Sequence, residues 1–396
     1  MHLLFSITTY PPSVGGAQIH LHSLGQQMIG WGHKVKVIGY WDCNRSDWLM
    51  GTTLAAKNQG KDYIIDGIPV HLMGFSLTDK LCMLPWIPLY YPLMPLAVSH
   101  LSRYVIPKLV ALSQNVDVIH NVRIGREVLS YASLRLARQL GIPFVLTPVH
   151  HPRWSGWRYQ VFDEIYRQAD ALIALTDSER QALQQKGVAP EKIHVTGTGP
   201  IVAAVADGMG FRQKHQIIGP MVLFLGQHYA YKGYQQVLQA TSIVWQSLPE
   251  TYFVFVGPQV KQSERVFAEF RDPRIVRLGS VSLQEKSDAL AACDLLCVPS
   301  TQESFGGVYT EAWMYQKPVI GCPIPAVSEV ITNGVDGILV KQDPQEIAQT
   351  ILMVLKNPDV ANNFGVAGQK KVREKYSWSQ LAQKTLGIYQ FVLRNG

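Results

Sequence analysis

The segment "ESFGGVYTE", residues 303–311, sets Glu303 and Glu311 eight positions apart around Phe305, Gly306, Gly307 and Val308, in a chain of which only 16% is charged. It follows the apolar run "LLCVPS", so the pattern predicts a strand ending at Ser300, a loop carrying Glu303, and a helix beginning near Gly307. A helix start exposes unsatisfied backbone N–H groups, and glycines there let an anion come close. Carboxylates repel phosphate, so Glu303, and Glu311 about one turn into the helix, suit the neutral hydroxyls of a sugar or a ribose. The competing reading makes Glu303 a capping charge and Glu311 a solvated helix residue.

Three further loops could join that chemistry. Lys232 in "GQHYAYKG" follows the strand-like "MVLFLG" and could meet a diphosphate as a point charge. Gly15 and Gly16 in "YPPSVGGAQIHLHSLGQQM" join the first strand to a helix. In "LTPVHHPRW", His150 and His151 stand at the carboxyl end of a strand, where one of the two faces a ligand. Neither the Gly15-Gly16 loop nor "GTGPIV" at 197 fits G-x-G-x-x-G, which argues against an oxidoreductase. Asp-x-Asp is absent, so no carboxylate-held metal is expected, and phosphate charge falls to Lys232 and the helix ends.

Positioning these loops requires strands in a parallel sheet. Short β-branched runs alternate with amphipathic stretches twice: "HLLFSITTY", "KVKVIGY", "VDVIHN", "PFVLTP", "ALIALT" and "KIHVTG", then "MVLFLGQ", "YFVFVG", "IVRLG", "LLCVPS", "PVIGC" and "GILVK". That alternation predicts an α/β protein of two Rossmann-like domains, whose ligands lie beyond the strands' carboxyl ends. The expected division is 1–205 and 206–376, hinged within the Gly-rich segment 200–220. A tail helix, 377–396, is expected to bury Trp378, Leu381, Leu386, Tyr389 and Val392.

Composition bounds the rest. At 396 residues and 47% apolar, the chain suits two packed domains. The N-terminus reads as a first strand, not a signal peptide, and no window of 18 apolar residues predicts a transmembrane helix. Cys43, Cys82, Cys293, Cys297 and Cys322 are scattered and odd in number, which predicts reduced thiols in the cytoplasm. The net charge of +7 suits anionic partners, and no motif makes that partner a nucleic acid. Segment 80–110 is apolar, aromatic and proline-interrupted, with Lys80, Arg103, Lys108, Arg123 and Arg126 in or near it. Its two readings are a core helix, or a surface for a membrane or a lipid-linked substrate.

Taken together, these residues resemble the retaining glycosyltransferases of the GT-B fold, family 4, nearly end to end. The resemblance rests on the Gly-Gly loop, "DVIH", the strand-end histidines, "ADALIALTDSE", the "LG…KG" loop, "ACDLLCVPS" and, most specifically, the Glu-x7-Glu element. It implies two domains facing each other across a deep cleft, with the tail helix crossing back to the first. It also implies transfer from a nucleotide sugar, a UDP- or GDP-sugar, to a hydroxyl acceptor that is sugar- or lipid-linked, with no metal or other cofactor. On this resemblance Glu303 holds the donor sugar and Glu311 the ribose. Lys232, the backbone from Phe305 to Val308 and the Gly15-Gly16 loop hold the diphosphate. Val281 lies beside the base, and a strand-end histidine touches the sugar.

Two positions depart from the family: Gln227 stands where an arginine is common, and Val149 where many relatives place their histidine. They leave open a non-catalytic nucleotide-sugar-binding subunit, beside a related sugar phosphorylase or epimerase. The expected location is the cytoplasm, with peripheral attachment to the inner face of the cell membrane where the basic and apolar segment engages lipid.

Overall fold

The structure, a computed structural model, describes residues 1–13, 15–150 and 156–395. It divides into two compact units: Met1–Gly197 with Trp378–Gly396, and Thr198–Ser377.

The first unit is built on eight strands: β1 (His2–Ser6), β2 (Lys34–Gly39), β3 (Lys61–Ile65), β4 (Ile68–Leu72), β5 (Val118–Val122), β6 (Phe144–Thr147), β7 (Ala171–Ala174) and β8 (Ile193–Val195). Their order is β3-β4-β2-β1-β5-β6-β7-β8, with β3 alone antiparallel to its neighbour. Successive side chains on β1 point to opposite faces, and both faces are covered. Leu3 and Phe5 join one apolar cluster with Val35, Val37 and Val118, while Leu4 joins another with Ile38, Ile119 and Leu146.

The hairpin of β3 and β4 has no counterpart among the expected strands. Its turn is Asp66-Gly67, both at positive φ (48° and 78°), the left-handed geometry that a tight hairpin needs. The Asp-Gly pair in "YIIDGIPV" is the local signal for it.

The tail helix Trp378–Asn395 belongs to this unit and packs on the helix Gly16–Gly30 side of the sheet. Leu381, Tyr389 and Val392 are buried as expected, with Ala382, Thr385 and Ile388 added, while Trp378 and Leu386 are half-buried. The Tyr389 hydroxyl lies 2.6 Å from His120 Nδ1, and His120 Nε2 lies 2.8 Å from Thr147 Oγ1. This buried polar chain ties the last helix to β5 and β6, and such a link contributes about 1 kcal/mol per bond.

Segment 80–110 contains the core helix that one of its two readings expects. The helix Met94–Leu112 buries Met94, Ala97, Val98, Leu101, Val105 and Leu109 in the core. Leu81, Leu84, Leu89, Leu93 and Leu96 stay exposed. Among the described residues, no helix is long and apolar enough to cross a membrane.

The second unit carries β9 (Met221–Leu225), β10 (Tyr252–Val256), β11 (Ile275–Gly279), β12 (Leu295–Cys297), β13 (Val319–Gly321) and β14 (Ile338–Leu339). They form a parallel sheet in the order β11-β10-β9-β12-β13-β14. Because all six run the same way, the loops after β9, β11 and β12 emerge on one edge. Part of the expected hinge segment is helical here, over Gly208–Lys214.

Candidate functional site

In the second unit, β9 leads to Lys232 and β12 leads to Glu303, and the two side chains meet. Lys232 Nζ lies 2.5 Å from Glu303 Oε1, with the side chains 19% and 12% exposed. Backbone geometry brings the loops together. Gly233 sits at φ 84°, and a Cβ there would lie 2.7 Å from both the ring and the carbonyl oxygen of Pro299. Gln342 Nε2 bridges the Tyr231 and Pro299 carbonyls at 3.1 and 2.7 Å, and Thr301 N donates to Tyr231 O at 2.8 Å. The lysine loop is thereby laced to the glutamate loop by contacts that only glycine at 233 permits.

The helix Gly307–Met314 begins where expected. Its N-cap is Gly306, at φ 89°, with no side-chain cap and no acidic residue in the first turn. Glu303 is therefore not the capping group, and the first N–H groups are open to an anion. A Cβ on Gly306 would lie 2.5 Å from the Tyr309 ring, whose hydroxyl donates to Val298 O at 2.7 Å. Gly307 by contrast has nothing within 4 Å of a hypothetical Cβ. Phe305 is buried edge-on against Tyr376, and Val308 is half-buried. The helix is anchored from below by Trp313, fully buried, whose indole donates to Asp336 O at 2.8 Å.

Glu311 is not solvated either. It is buried, and its Oε1 lies 2.9 Å from Nζ of Lys286, on the helix Leu283–Ala292. Burial pushes its carboxyl above the usual range, and Lys286 pulls it back down. Lys286 has no signal of its own in the sequence; it becomes visible only where the two helices pack. Val281, between β11 and the capping Ser282, is half-buried on the way into Lys286's helix. Gln227 is exposed, immediately after Gly226 at the end of β9.

His228 was not among the expected residues. It is fully buried, its ring stacked on Tyr234 at 5.6 Å and tilted on Phe267 at 5.1 Å. Neither ring nitrogen has a hydrogen-bond partner among the described residues, and burial holds its pKa down at about 4, so it is a neutral ring. Its place in "GQHYAYKG", directly after Gln227, is the local signal that could have found it.

In the first unit, Gly15 is the extended N-cap of the helix Gly16–Gly30, and a Cβ on it would lie 2.3 Å from the Gln18 amide oxygen. Gln18 Nε2 in turn donates to Thr9 Oγ1 at 2.5 Å, and the Tyr63 hydroxyl donates to Pro11 O at 2.6 Å. Gly16 has open space around it. His150 is buried, with its ring edge-on to Tyr166 at 6.3 Å. Its backbone N–H donates to Glu179 Oε1 at 2.5 Å, and Leu175 N donates to Glu179 Oε2 at 2.7 Å. Glu179 thus clasps the strand-end loops, and burial raises its pKa to about 7. Val149 has φ 46°, strained for a β-branched residue. His151 lies outside the described residues. Also among the described residues, no three His, Cys, Asp or Glu side chains converge on a metal-sized space.

Comparison with known proteins gives this geometry a context. Residues 15–199 match the family described as glycosyl transferase 4-like domain, and residues 219–357 match glycosyl transferases group 1. The alpha-maltose-1-phosphate synthase of Mycolicibacterium smegmatis is 25% identical over 72% of this chain and 84% of its own length. The phosphatidyl-myo-inositol mannosyltransferase of Mycobacterium tuberculosis is 32% identical, over 45% of this chain and 49% of its own length. Among solved structures, HepE of Anabaena in complex with UDP and glucose superposes with a TM-score of 0.74, at 18% identity, covering 98% of this chain and 99% of that one. WaaG, a glycosyltransferase involved in lipopolysaccharide biosynthesis, superposes with a TM-score of 0.67, at 15% identity, covering 98% of this chain and 99% of that one.

Proposed function

Since the chain belongs to the group 1, family 4-like glycosyltransferases of GT-B fold, we propose that it is a retaining hexosyltransferase. It moves a sugar from a nucleoside-diphosphate donor to a hydroxyl on a lipid- or polysaccharide-linked acceptor. The observation that carries this reading is the Lys232–Glu303 pair beside the uncapped start of the helix Gly307–Met314. It places a cation, open N–H groups and a hydroxyl acceptor together on one strand edge.

Breaking the bond between sugar C1 and the donor phosphate builds positive charge at C1 and negative charge on the leaving diphosphate. Lys232 and the N–H groups from Gly307 onward offset that negative charge, so the residues here supply what a divalent ion would otherwise supply. Glu303 accepts hydrogen bonds from donor hydroxyls, and Glu311, aimed by Lys286, accepts those of the ribose. The acceptor oxygen attacks on the face that the phosphate leaves, and the phosphate takes its proton, so configuration is retained. His150 or His151 contacts the transferred sugar, the role the family resemblance gives them.

HepE was solved with UDP and glucose, so UDP-hexoses head the list of donors to try, followed by GDP-sugars. The exposed leucines of segment 81–96 and the mannosyltransferase relative support a lipid-linked acceptor and peripheral contact with the inner membrane face. The neutral, exposed Gln227 favours a second reading, a subunit that binds nucleotide sugars without turning them over.

The test is release of nucleoside diphosphate from a panel of labelled UDP- and GDP-sugars, with lipid and polysaccharide acceptors, by the wild type and by Lys232→Ala and Glu303→Ala. Turnover lost in both variants, with the fold intact, supports the proposal. Full activity in both sinks the site, and donor binding without turnover in the wild type selects the second reading.

A further inference from the structure

We propose that the first unit holds an anion site built by Arg126 and Arg158 around the ring of Tyr91, and that it takes a phosphate group of the acceptor. The inference rests on the glycosyltransferase reading above and adds the chemistry of the second substrate.

Both guanidinium groups lean on one ring: each guanidinium carbon lies 5.3 Å from the Tyr91 centroid. Arg158 also lies 5.4 Å from the Trp157 ring, which meets Tyr91 edge-on at 6.2 Å. Among the described residues neither arginine forms an ion pair, whereas Arg45, Arg138, Arg180, Arg212 and Arg274 each meet an aspartate. Stacking on an aromatic face contributes about 0.5–1 kcal/mol per cation at a partly exposed site. That holds the arginines in place but leaves their repulsion unanswered. A phosphate answers it, because the planar guanidinium fork matches phosphate oxygens two at a time.

The location suits a substrate. Arg126 is the N-cap residue of the helix Glu127–Leu140, reached from the carboxyl end of β5, and Trp157-Arg158-Tyr159 is a turn in the connection after β6. Strands β1, β5 and β6 are parallel, so these residues share an edge with Gly15 and His150. Towards His150 stands Arg123, three residues before Arg126, with its guanidinium 5.8 Å from the ring of Tyr159, the residue after Arg158. That buried guanidinium lies 3.9 Å from the Phe162 ring and donates to the Tyr166 hydroxyl at 2.7 Å, and Tyr166 touches His150. The buried carboxyl of Glu127, next to Arg126 in the chain, accepts the Tyr90 O–H, and burial raises its pKa.

The same chemistry could come from a lipid headgroup or from a soluble sugar phosphate. Leu89 and Leu93 flank Tyr91 in the chain, and with Trp157 they are exposed, so the cations open onto apolar surface. That juxtaposition suits a lipid phosphate, and the experiment separates the two sources.

Full-length protein is floated with phosphatidylcholine vesicles, with and without phosphatidylglycerol, and is titrated separately with glycerol 3-phosphate. The site variant is Arg126→Gln/Arg158→Gln, and the control is Lys34→Gln/Lys36→Gln, which removes two exposed cations on β2, elsewhere on the same unit. Retention on phosphatidylglycerol vesicles assigns a lipid phosphate, and binding of glycerol 3-phosphate alone assigns a soluble one. Either way the site variant should weaken binding about tenfold, a loss near 1.4 kcal/mol, while the control stays within about twofold of the wild type. Thermal stabilisation by UDP or GDP, a property of the other unit, should be equal in all three proteins; its absence in the wild type would count against the donor reading and not against this one. No binding of either probe, an unchanged site variant, or an equal loss in the control overturns the site.

Discussion

Lys286 Nζ lies 2.9 Å from Glu311 Oε1, and the glutamate side chain is only 8% exposed. Burial raises the pKa of this carboxyl, and the lysine opposes that shift. Removing the lysine leaves a buried charge without a partner, which costs roughly 3–5 kcal/mol where burial is complete and less here, because Lys286 keeps some solvent access. Lys286→Ala should therefore lower stability by about 2–3 kcal/mol in urea unfolding, and Glu311→Gln added to it should recover part of the loss. A single variant as stable as the wild type would show that the pair is idle.

Gly306 and Gly307 separate structure from binding. Gly306→Ala forces a side chain onto φ 89° and into the Tyr309 ring, so it should lower stability by about 2 kcal/mol or more. Gly307→Ala meets open space and should leave the melting temperature nearly unchanged. The new methyl stands where the donor's phosphate would approach, so kcat/KM should still fall by about tenfold or more, near 1.4 kcal/mol of transition-state binding. Unaltered kinetics in Gly307→Ala would remove the phosphate from the helix start.

Glu179 predicts a pH dependence of stability. Burial raises its folded pKa to about 7, above its unfolded value of about 4.5, so the native state holds the proton more tightly. The sign follows: this group's contribution is most favourable below pH 4.5 and is lost as pH rises from there to about 7. Unfolding midpoints of the wild type and Glu179→Gln, measured at pH 5 and pH 7, should show the wild type losing more stability over that interval. Equal losses would mean that the carboxyl titrates normally.

Gln227 is neutral and exposed at the end of β9. Gln227→Arg adds a planar cation beside the Lys232 loop. Charge-assisted bonds to phosphate are about twice as strong as neutral ones, so the donor KM should fall about threefold to tenfold with kcat little changed. A donor KM that rises or stays the same would show that the diphosphate does not approach this residue.

Much of the architecture was legible without coordinates, because strand and helix are written in short-range periodicity. The runs read as strands fall on β1, β2 and β5–β14, and the second glycine after "ESF", Gly307, starts a helix as the spacing predicts. The β3–β4 hairpin was missed although "DG" marks its turn, because β3 is largely exposed and Pro69 and His71 break the apolar run of β4, whose Ile68, Val70 and Leu72 are buried. Tertiary structure decided the pairings. Lys232 and Glu303 are 71 residues apart and Lys286 and Glu311 are 25 apart, and neither spacing encodes a contact. Parallel strands bring such residues to one edge whatever their separation in sequence, and packing then chooses which charge each carboxylate meets. Glu303 and Glu311 were readable as carboxylates near an anion site. That one meets Lys232 and the other a partly buried lysine on a neighbouring helix was settled only by how the sheet stacks its loops.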